Sequence, residues 1–384
     1  MSENFAKLGI GEKLCHGLQQ AGITVPTGIQ AQVIPLALAG KDVIGQSATG
    51  TGKTLAYLLP LFQKIDAGKR EMQAIILAPT YELVMQIQQQ AERLAVNSGL
   101  PVTSLPLIGD ANITRQMEKL RDKPHIIVGS GGRILELIQK KKISAHTIKT
   151  IVLDEGDRLL GEQNLEIVKT IIKTTLKDRQ LLLFSATVKP AAVELAQSLM
   201  REPAVVHVAA QAQDQPDITH LYFITVLREK MDVLRKIARS IAGKRALVFI
   251  NKQDDIAATV AKLNFQGLAA AGLHGGADKT ERKKALEDFR SGKIQLLVAT
   301  DIAARGLDIP GVDYVINLDM TDEPQTYLHR TGRTGRAGQS GTAISIVTVG
   351  ETGYIVRMEK ALKLTMQQKE MIKGEMRDRK KSYR

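Results

Sequence analysis

The chain has 384 residues, and its 53 Lys and Arg against 40 Asp and Glu give a formal net charge of +13. This length suffices for two or three domains with sizeable cores, and a composition of 43% hydrophobic and 24% charged residues excludes a wholly disordered chain. The single cysteine, Cys15, excludes a disulfide framework and a Cys-rich zinc site, and it favours a reducing, cytoplasmic compartment.

The N-terminal residues MSENFAKLG lack the charged and apolar regions of a signal peptide. The longest uncharged stretch, Leu14 to Gly40, is interrupted by prolines and amides, so we expect no membrane-spanning segment. The basic excess permits a polyanionic partner, with nucleic acid the first candidate, but it is equally consistent with a solvated basic surface. We expect a cytoplasmic monomer.

Short runs of aliphatic and β-branched residues recur along the chain and alternate with helical patterns. Because these runs leave no polar side for solvent, they predict strands of parallel sheets covered by helices. The first set lies at 75–78, 126–129, 150–154, 181–184 and 205–208, and the second at 221–226, 246–250, 296–299, 312–318 and 341–347. The sequence therefore predicts two doubly wound α/β domains with parallel sheets.

The segment AAQAQDQPD at 209–217 has no apolar periodicity and contains a proline and several amides, so it predicts a flexible linker. The first domain would then span residues 1–208 and the second 218–367. The basic end, 368–384, is either a phosphate-binding tail or a frayed, solvated one. Residues 1–210 carry +5 and the rest +8, so a polyanion could contact both domains.

A candidate phosphate-binding loop follows the apolar run Val43-Ile44. It reads Ser47-Ala48-Thr49-Gly50-Thr51-Gly52-Lys53-Thr54 and leads into an apolar helical pattern. Glycines let backbone N–H groups approach a phosphate, and the helix N-terminus adds positive charge. Lys53 would contact the β- and γ-phosphates, and Thr54 would face Mg²⁺. Ser47 stands where the strict pattern has its first glycine.

Two carboxylates end the strand pattern at 150–154, in the segment TIVLDEGD. Sheets of this class place Mg²⁺ ligands at the carboxyl ends of strands. Asp154 would hold Mg²⁺, largely through water, and Glu155 would polarise the attacking water. An acidic helix N-terminus is the alternative, but the phosphate loop 100 residues upstream favours catalysis.

The segment His329-Arg330-Thr331-Gly332-Arg333-Thr334-Gly335-Arg336 places three arginines at three-residue spacing. Their interleaving with Gly and Thr is typical of phosphate donors rather than of surface solubilisers. If this segment faces the loop of the first domain, Arg333 and Arg336 would stabilise charge on the γ-phosphate, an effect of about 10³–10⁵ in rate.

In this order and spacing, the motifs resemble those of the DEAD-box RNA helicases of helicase superfamily 2, from Phe5 to about Val349. Phe5 and the segment at 26–30 are similar to the Q motif, and the resemblance implies that Phe5, Ile23 and Gln30 bind the adenine. It also implies ATP and Mg²⁺ as cofactors, RNA as a partner, and two RecA-like P-loop domains.

Further segments match the family in order: 79–83 (motif Ia), 185–187 (motif III), 248–250 (motif IV) and 300–308 (motif V). By resemblance Gly306 and Asp308 bind the nucleotide, Asp308 through the ribose. A polar network linking hydrolysis to domain closure would contain Asp157, Ser185, Thr187 and His329, although Ser and Thr also commonly cap strand ends. The implied RNA contacts are Pro79, Thr80, Tyr81, Gly109, Ser130, Gly131, Gly132, Arg133, Arg282 and Thr300.

Several positions depart from the family pattern. Gly156 replaces the alanine of the eponymous tetrapeptide, and Ile23 replaces an aromatic that stacks on adenine, so we expect weaker adenine affinity. On the RNA side Tyr81 replaces Arg, Asp110 replaces Gly, and Lys279 replaces Gln. Ser130 to Arg133 replace Thr-Pro-Gly-Arg. We expect intact hydrolysis with RNA affinity below the family average, partly offset by Lys279 and the basic end.

The resemblance implies an RNA-dependent ATPase that unwinds short duplexes or remodels RNA–protein complexes through ATP-driven domain closure. Aromatic residues are only 4%, so binding through phosphates without sequence specificity is expected. Ribosome assembly or RNA metabolism in the cold, with ribosomal or RNP proteins as partners, fits minimal bacterial members. An ATP-gated RNA clamp with little unwinding stays open as an alternative. The Q motif and motif VI argue against a double-stranded DNA translocase.

Overall fold

The computed structural model describes residues 4–47, 50–109, 112–186, 190–208, 217–273, 279–304, 311–335 and 340–379. It divides into two compact units, Met1–Ala212 and Gln213–Arg384. This division falls inside the predicted linker 209–217, of which only Asp217 is among the described residues. No helix in the described ranges is both long enough and apolar enough to cross a membrane.

The first unit is built on a seven-stranded parallel sheet in the order β3-β4-β2-β5-β6-β1-β7. The strands are β1 Val43–Gln46, β2 Ala74–Leu77, β3 Ser104–Leu107, β4 Ile126–Gly129, β5 Thr150–Asp154, β6 Gln180–Ser185 and β7 Ala204–His207. All five strand predictions for this half are confirmed. Strand β3 was missed because its sequence, SLPL, contains a serine and a proline that fit only an edge position.

Helices cover both faces of this sheet. They are α1 Glu12–Gln20, α2 Gly28–Leu38, α3 Lys53–Lys64, α4 Tyr81–Ser98, α5 Ile113–Lys119, α6 Gly131–Gln139, α7 Gly156–Leu159, α8 Glu162–Thr174 and α9 Pro190–Leu199. Helices α1 to α4 share one apolar cluster, and α6 to α8 share the other. The strands are parallel, so all their carboxyl ends meet at one edge of the sheet, which we call the carboxyl edge. Their starting ends form the amino edge.

The second unit has an eight-stranded sheet in the order β10-β11-β9-β12-β13-β8-β14-β15. Its strands are β8 Ile218–Ile224, β9 Ala246–Phe249, β10 Ala270–Leu273, β11 Leu296–Ala299, β12 Tyr314–Asn317, β13 Gly341–Val347, β14 Met366–Ile372 and β15 Glu375–Asp378. Its helices are α10 Lys230–Ser240, α11 Asp255–Phe265, α12 Lys279–Arg290, α13 Asp301–Ala304, α14 Pro324–Thr331 and α15 Thr352–Leu362. The predicted fold class of two parallel-sheet α/β domains is confirmed, with one antiparallel addition.

That addition is a hairpin at the C-terminal end. Strand β14 pairs with β8 in parallel, and β15 pairs with β14 antiparallel. Both turn residues, Lys373 and Gly374, have left-handed backbones (φ +51° and +84°), as tight hairpin turns require. The second sheet therefore extends through Asp378, beyond the boundary predicted at residue 367, because the polar sequence of β14 gives no apolar run. Residues 380–384 of the basic end lie outside the described residues.

Candidate nucleotide and RNA site

The phosphate-binding loop begins where β1 ends at the carboxyl edge. Ser47 is buried, and its Oγ lies 2.7 Å from Thr51 Oγ1, within hydrogen-bond distance. Lys53 Nζ donates to the Ser47 carbonyl at 2.6 Å. Burial lowers the pKa of Lys53 to about 8, against the opposing effect of the nearby Asp154 carboxylate. A bound polyphosphate would stabilise the charged lysine further, so this position suits phosphate binding.

The loop is joined to helix α2 by the amide of Gln30. Gly52 has a left-handed backbone (φ +86°), and a Cβ there would overlap the Gln30 amide nitrogen. Gln30 Nε2 donates to the Gly52 carbonyl at 3.0 Å, and Oε1 accepts from the Thr27 N–H at 3.0 Å. An amide has two donor hydrogens and two acceptor positions, so each amide atom retains capacity for one more bond. Gln30 can therefore support the loop and still contact a base.

The two apolar residues that the Q-motif resemblance assigns to the adenine, Phe5 and Ile23, differ in their exposure. Phe5 is 3% exposed and lies in the core cluster of α1 to α4, so it supports the fold directly. Ile23 is partly buried and packs against the same cluster. Of the two, Ile23 therefore offers more surface for contact with a base.

The carboxylate of Asp154 is held by a tyrosine that the sequence analysis did not select. Tyr57 lies one helical turn after Lys53 on α3, and its OH donates to Asp154 Oδ2 at 2.8 Å. The Glu155 N–H donates to Oδ1 at 2.9 Å. Burial raises the pKa of Asp154, and the Tyr57 hydrogen bond acts in the opposite direction. Tyr57 therefore orients this carboxylate and favours its ionised form.

Tyr57→Phe is expected to move the acid limb of the ATPase pH profile upward by about one to two units. The variant loses a hydrogen bond to a charged group, which contributes about 1.5–3 kcal/mol, so the pKa of Asp154 rises further and a higher pH is needed to ionise it. The measurement is kcat against pH at saturating ATP and RNA. Tyr354→Phe on α15 is the control. An acid limb that does not shift in Tyr57→Phe would refute the proposal that Tyr57 favours the ionised form of Asp154.

Glu155 adopts a backbone conformation that is unusual for a residue with a side chain. Its φ and ψ are both 52°, in the left-handed region, at the position that precedes α7. Non-glycine residues held there commonly mark functional sites. Arg158 NH1 lies 4.0 Å from Glu155 Oε2, so a cation flanks the carboxylate. The strand therefore ends at Asp154, and Glu155 stands at the turn into α7.

Gly156 begins α7 directly against the sheet. A Cβ at this position would lie 2.7 Å from Leu183 Cγ and 2.8 Å from its Cδ2. The departure from the family alanine is therefore matched by close packing of Leu183, which occupies the space of the missing methyl group.

The predicted coupling network is partly present within the first unit. Ser185 Oγ donates to Asp157 Oδ1 at 2.7 Å, and the Ser185 carbonyl accepts from the Ser47 N–H at 3.2 Å. Ser185 is fully buried. These bonds join the end of β6 to α7 and to the phosphate loop.

The predicted RNA contacts of the first unit lie at the ends of adjacent strands. Strands β3, β4 and β2 are neighbours, and the candidate RNA residues follow their carboxyl ends. The nucleotide residues follow β5, β6 and β1 in the other half of the same edge. The strand order thus places the candidate RNA residues and the candidate nucleotide residues in different halves of the carboxyl edge.

Local bonds hold several of these RNA candidates in place. Thr80 Oγ1 accepts from the Leu83 N–H at 3.3 Å and caps α4, which begins at Tyr81 after Pro79. Arg133 donates to the Gly109 carbonyl, and its Nε lies 3.1 Å from Glu136 Oε2. Ser130, Gly131 and Gly132 form the start of α6. Arg133 therefore joins the ends of β3 and β4 as well as being a candidate phosphate contact.

The first arginine of HRTGRTGR does not have the surface position expected of a phosphate donor. Arg330 is 1% exposed, and its Nε and NH2 donate to the two Asp301 carboxylate oxygens at 2.6 Å each. Its remaining hydrogens are donated to the Asn251 side chain at 2.9 Å, the Asn317 side chain at 3.3 Å and the Asp319 carbonyl at 2.6 Å. All five guanidinium hydrogens are used, so Arg330 anchors α14 to the sheet.

Other predicted residues of the second unit surround this anchor. His329 and Arg333 line a small pocket with Phe249, and Arg333 is 9% exposed. Thr300 is buried at the end of β11, and its Oγ1 accepts from the Ala303 N–H at 3.4 Å. Arg282 on α12 donates to the Ala303 carbonyl at 3.2 Å. Ala48, Thr49, Thr187, Gly306, Asp308 and Arg336, with Asp110, lie outside the described residues.

Comparisons with known proteins agree with this geometry. The DEAD/DEAH box helicase model matches residues 27–195, and the Helicase conserved C-terminal domain model matches residues 229–338. The chain is 44% identical to the DEAD-box ATP-dependent RNA helicase CshC of Bacillus cereus, over 93% of this chain and 90% of that protein. It is also 44% identical to the probable ATP-dependent RNA helicase YfmL of Bacillus subtilis, over 89% and 90%.

Solved structures give the same result for the fold. The S. cerevisiae Dbp5 structure bound to RNA and ADP BeF3 has a TM-score of 0.87 and 29% identity, over 96% of this chain and 95% of that one. A DEAD box protein from Methanococcus jannaschii is 31% identical, over 95% and 98%, with a TM-score of 0.56. From these matches and the motif residues at its carboxyl edges, the chain belongs to the DEAD-box ATP-dependent RNA helicases.

Proposed function

We propose that this helicase uses ATP hydrolysis to open short RNA duplexes locally, through contacts with the RNA backbone rather than with base edges. The observation that supports this most strongly is the divided carboxyl edge of the first sheet, with nucleotide residues after β5, β6 and β1 and RNA candidates after β3, β4 and β2. One rigid sheet edge thereby serves both ligands, so that each can affect the other.

Within the first unit, Lys53 and the loop N–H groups bind the β- and γ-phosphates, while Gln30 and Ile23 contact the adenine. Phe5 supports that segment from the core. Mg²⁺ prefers oxygen ligands and keeps several of its waters. Asp154, oriented by Tyr57, together with the Thr54 hydroxyl, fits such an ion held largely through water. The ion would neutralise charge on the phosphates.

Glu155 acts as the general base that orients and deprotonates the attacking water. It directly follows the end of β5 in a left-handed backbone, and the Arg158 guanidinium lies 4.0 Å from its carboxylate. Asp157, Ser185, Thr187 and His329 transmit the state of the nucleotide. Arg333 and Arg336 supply positive charge to the γ-phosphate, Asp308 contacts the ribose, and Gly306 also binds the nucleotide.

RNA binding involves Pro79, Thr80, Tyr81, Gly109 and the start of α6 in the first unit. Arg282 and Thr300 contribute from the second unit. We propose bacterial ribosome assembly or RNA metabolism in the cold as the setting, in the cytoplasm, with ribosomal or RNP proteins as partners and a monomer as the active form. The similarity to the bacterial RNA helicases CshC and YfmL supports a role in bacterial RNA metabolism.

Displacement of one strand from a short RNA duplex is expected to require ATP, and ATPase activity is expected to rise with RNA but not with DNA. Displacement is followed by fluorescence with and without ATP, and the RNA concentration that gives half-maximal ATPase activity reports affinity. ATP-dependent retention of RNA without displacement would instead support the clamp alternative. A low-nanomolar half-saturation at physiological salt would contradict the weakened RNA affinity predicted from Tyr81 and Asp110.

A further inference from the structure

The positive charge of the first unit is concentrated at the amino edge of its sheet, opposite the nucleotide site. The segments that precede its seven strands contain eleven Lys and Arg and five Asp and Glu, a net charge of +6. These segments are 39–42, 65–73, 99–103, 123–125, 140–149, 175–179 and 200–203. The whole unit carries +5. The rest of the unit, which includes the carboxyl edge, is therefore close to neutral.

The centre of this edge is a group of exposed lysines that we call the amino-edge lysine cluster. It consists of Lys140, Lys141, Lys142, Lys149, Lys173 and Lys177. The segment 140–149 contributes four of the six and contains no acidic residue. The cluster is not apparent from the sequence, because its members come from the connection before β5, the end of α8 and the connection before β6.

Helix packing and sheet register bring these lysines together. Helices α6 and α8 both lead back to the amino edge on the same face, and a Cβ on Gly131 would lie 3.0 Å from Ile167 Cγ2. The end of α6 is therefore level with the end of α8, since both helices rise by the same amount per residue. Thr150 pairs with Gln180, which places Lys149 beside the segment that ends at residue 179.

The backbone of the cluster is well fixed although its side chains are exposed. The N–H groups of Lys140, Lys141 and Lys142 donate to carbonyls of the last turn of α6 at 2.9 Å each. Thr147 Oγ1 donates to the Met72 carbonyl at 2.6 Å and ties the following connection to the start of β2. The lysines thus project from a rigid base, which reduces the ordering that a ligand would have to impose.

Carboxylates offset only part of the positive charge in the cluster, and Glu166 is near enough to Lys173 to interact with it electrostatically. Lys140 pairs with Glu136 at 2.9 Å and Lys149 with Asp178 at 3.3 Å, both at exposed positions. Within the described ranges, the other four cluster lysines have no ion pair with a carboxylate. Like charges gathered in this way are unfavourable without a counter-charge. The cluster is therefore suited to a polyanion that spans several lysines.

The chemistry of the cluster favours a phosphate backbone over bases. Lysine is a flexible point charge that contacts phosphates without reading sequence. Proteins that hold single strands add aromatic side chains on which bases stack, and neither 140–149 nor 173–179 contains Phe, Tyr or Trp. Double-stranded RNA, by contrast, is bound mainly through its shape, phosphates and 2′-hydroxyls.

We propose that the amino-edge lysine cluster is a second RNA-binding surface, which contacts the phosphate backbone of a helical segment in the same RNA whose single strand engages the carboxyl edge. The inference rests on the assignment of the chain as an RNA helicase. This second surface would bind folded RNA whether or not nucleotide is bound, because the cluster lies at the opposite edge of the sheet from the ATP site.

The test compares two RNAs and two variants of the full chain. One RNA is a single strand, and the other carries the same strand as a tail on a hairpin of about 16 base pairs. The variant K141Q/K142Q/K177Q removes three cluster charges. The control K13Q/R93Q/K360Q removes three exposed charges from α1, α4 and α15. Thermal unfolding checks that both variants fold as the parent does.

For the tailed hairpin we expect about tenfold weaker binding by the cluster variant and a salt dependence lower by about 2–3 in log–log slope, because each lost phosphate contact removes about 0.7–0.9. Binding of the single strand and the maximal ATPase rate should match the parent. Equal loss in the control, or equal loss for both RNAs, would overturn the inference. So would lysine-dependent binding to vesicles containing phosphatidylglycerol without any effect on the hairpin.

These outcomes separate the inference from the proposed function. If no RNA stimulates the ATPase of the parent protein, the proposed function fails, whatever the hairpin affinity. If the single strand stimulates turnover normally while the cluster variant binds the tailed hairpin as the parent does, only the second surface is refuted.

Discussion

Glu155→Gln is expected to reduce ATP turnover by about 10²–10⁴-fold while ATP and RNA still bind with parental affinity. The substitution keeps the size of the side chain and removes its ability to accept a proton, and general-base catalysis typically contributes an effect of this size. Glutamine meets the left-handed backbone at residue 155 with the same strain as glutamate, so the local fold should persist. Binding that survives the loss of turnover would assign Glu155 to the chemical step.

The measurement is single-turnover hydrolysis with RNA at saturation, together with separate titrations of labelled ATP and RNA. Glu162→Gln is the matched control, because Glu162 is an exposed acid at the first position of the neighbouring α8. Turnover near the parental rate in Glu155→Gln would remove Glu155 from the role of base. A parallel fall in ATP affinity would instead indicate that Glu155 mainly shapes the metal and phosphate site.

Residues that carry chemistry through a local motif could be predicted from the sequence. Lys53, Asp154 and Ser185 stand in such motifs, and the structure places them at the carboxyl ends of β1, β5 and β6. Tyr57 could have been found from its spacing, since a polar ring four residues after Lys53 must share one face of α3 with it. Tyr57 was not predicted because an aromatic residue in an apolar helix is usually a core residue.

Contacts between distant segments could not be read from the sequence. Gln30 is 22 residues from Gly52, and only the packing of α2 against α3 brings the two together. The hairpin at 366–378 was not predicted, because about half of its residues face solvent at the edge of the sheet and carry polar side chains. Edge strands need no apolar run, whereas central strands, which are buried on both faces, do.

Arg330 shows the same limit within a motif that was identified correctly. Three arginines at equal spacing suggest one shared role, yet Arg330 faces the sheet with all five hydrogens donated inside the unit. The sequence holds no signal for this difference, because Asp301, Asn251 and Asn317 each come from a separate strand end. Replacing Arg330 should therefore lower stability, whereas replacing Arg333 should lower the rate of hydrolysis.

Arg333→Ala is expected to lower kcat by about 10³-fold or more with ATP affinity changed less than about threefold, since a donor to the γ-phosphate acts mainly on the transition state. Arg330→Lys is the matched comparison. Lysine keeps the charge but cannot reproduce the two-pronged bond to Asp301 or all the bonds to Asn251, Asn317 and Asp319, and each buried acceptor left unpaired costs about 1–3 kcal/mol. We therefore expect Arg330→Lys to lower the unfolding temperature clearly, and Arg333→Ala to change it little.

The two variants are distinguished by measuring thermal unfolding and RNA-stimulated ATPase kinetics on the same preparations. Loss of turnover in Arg333→Ala with an unchanged unfolding temperature supports a role in chemistry, since an anchor could not be removed without loss of stability. If Arg333→Ala unfolds as readily as Arg330→Lys, Arg333 is a second anchor of α14 and its assignment to the γ-phosphate fails. If Arg330→Lys keeps the parental stability, the bonds to Asp301 contribute less than their burial implies.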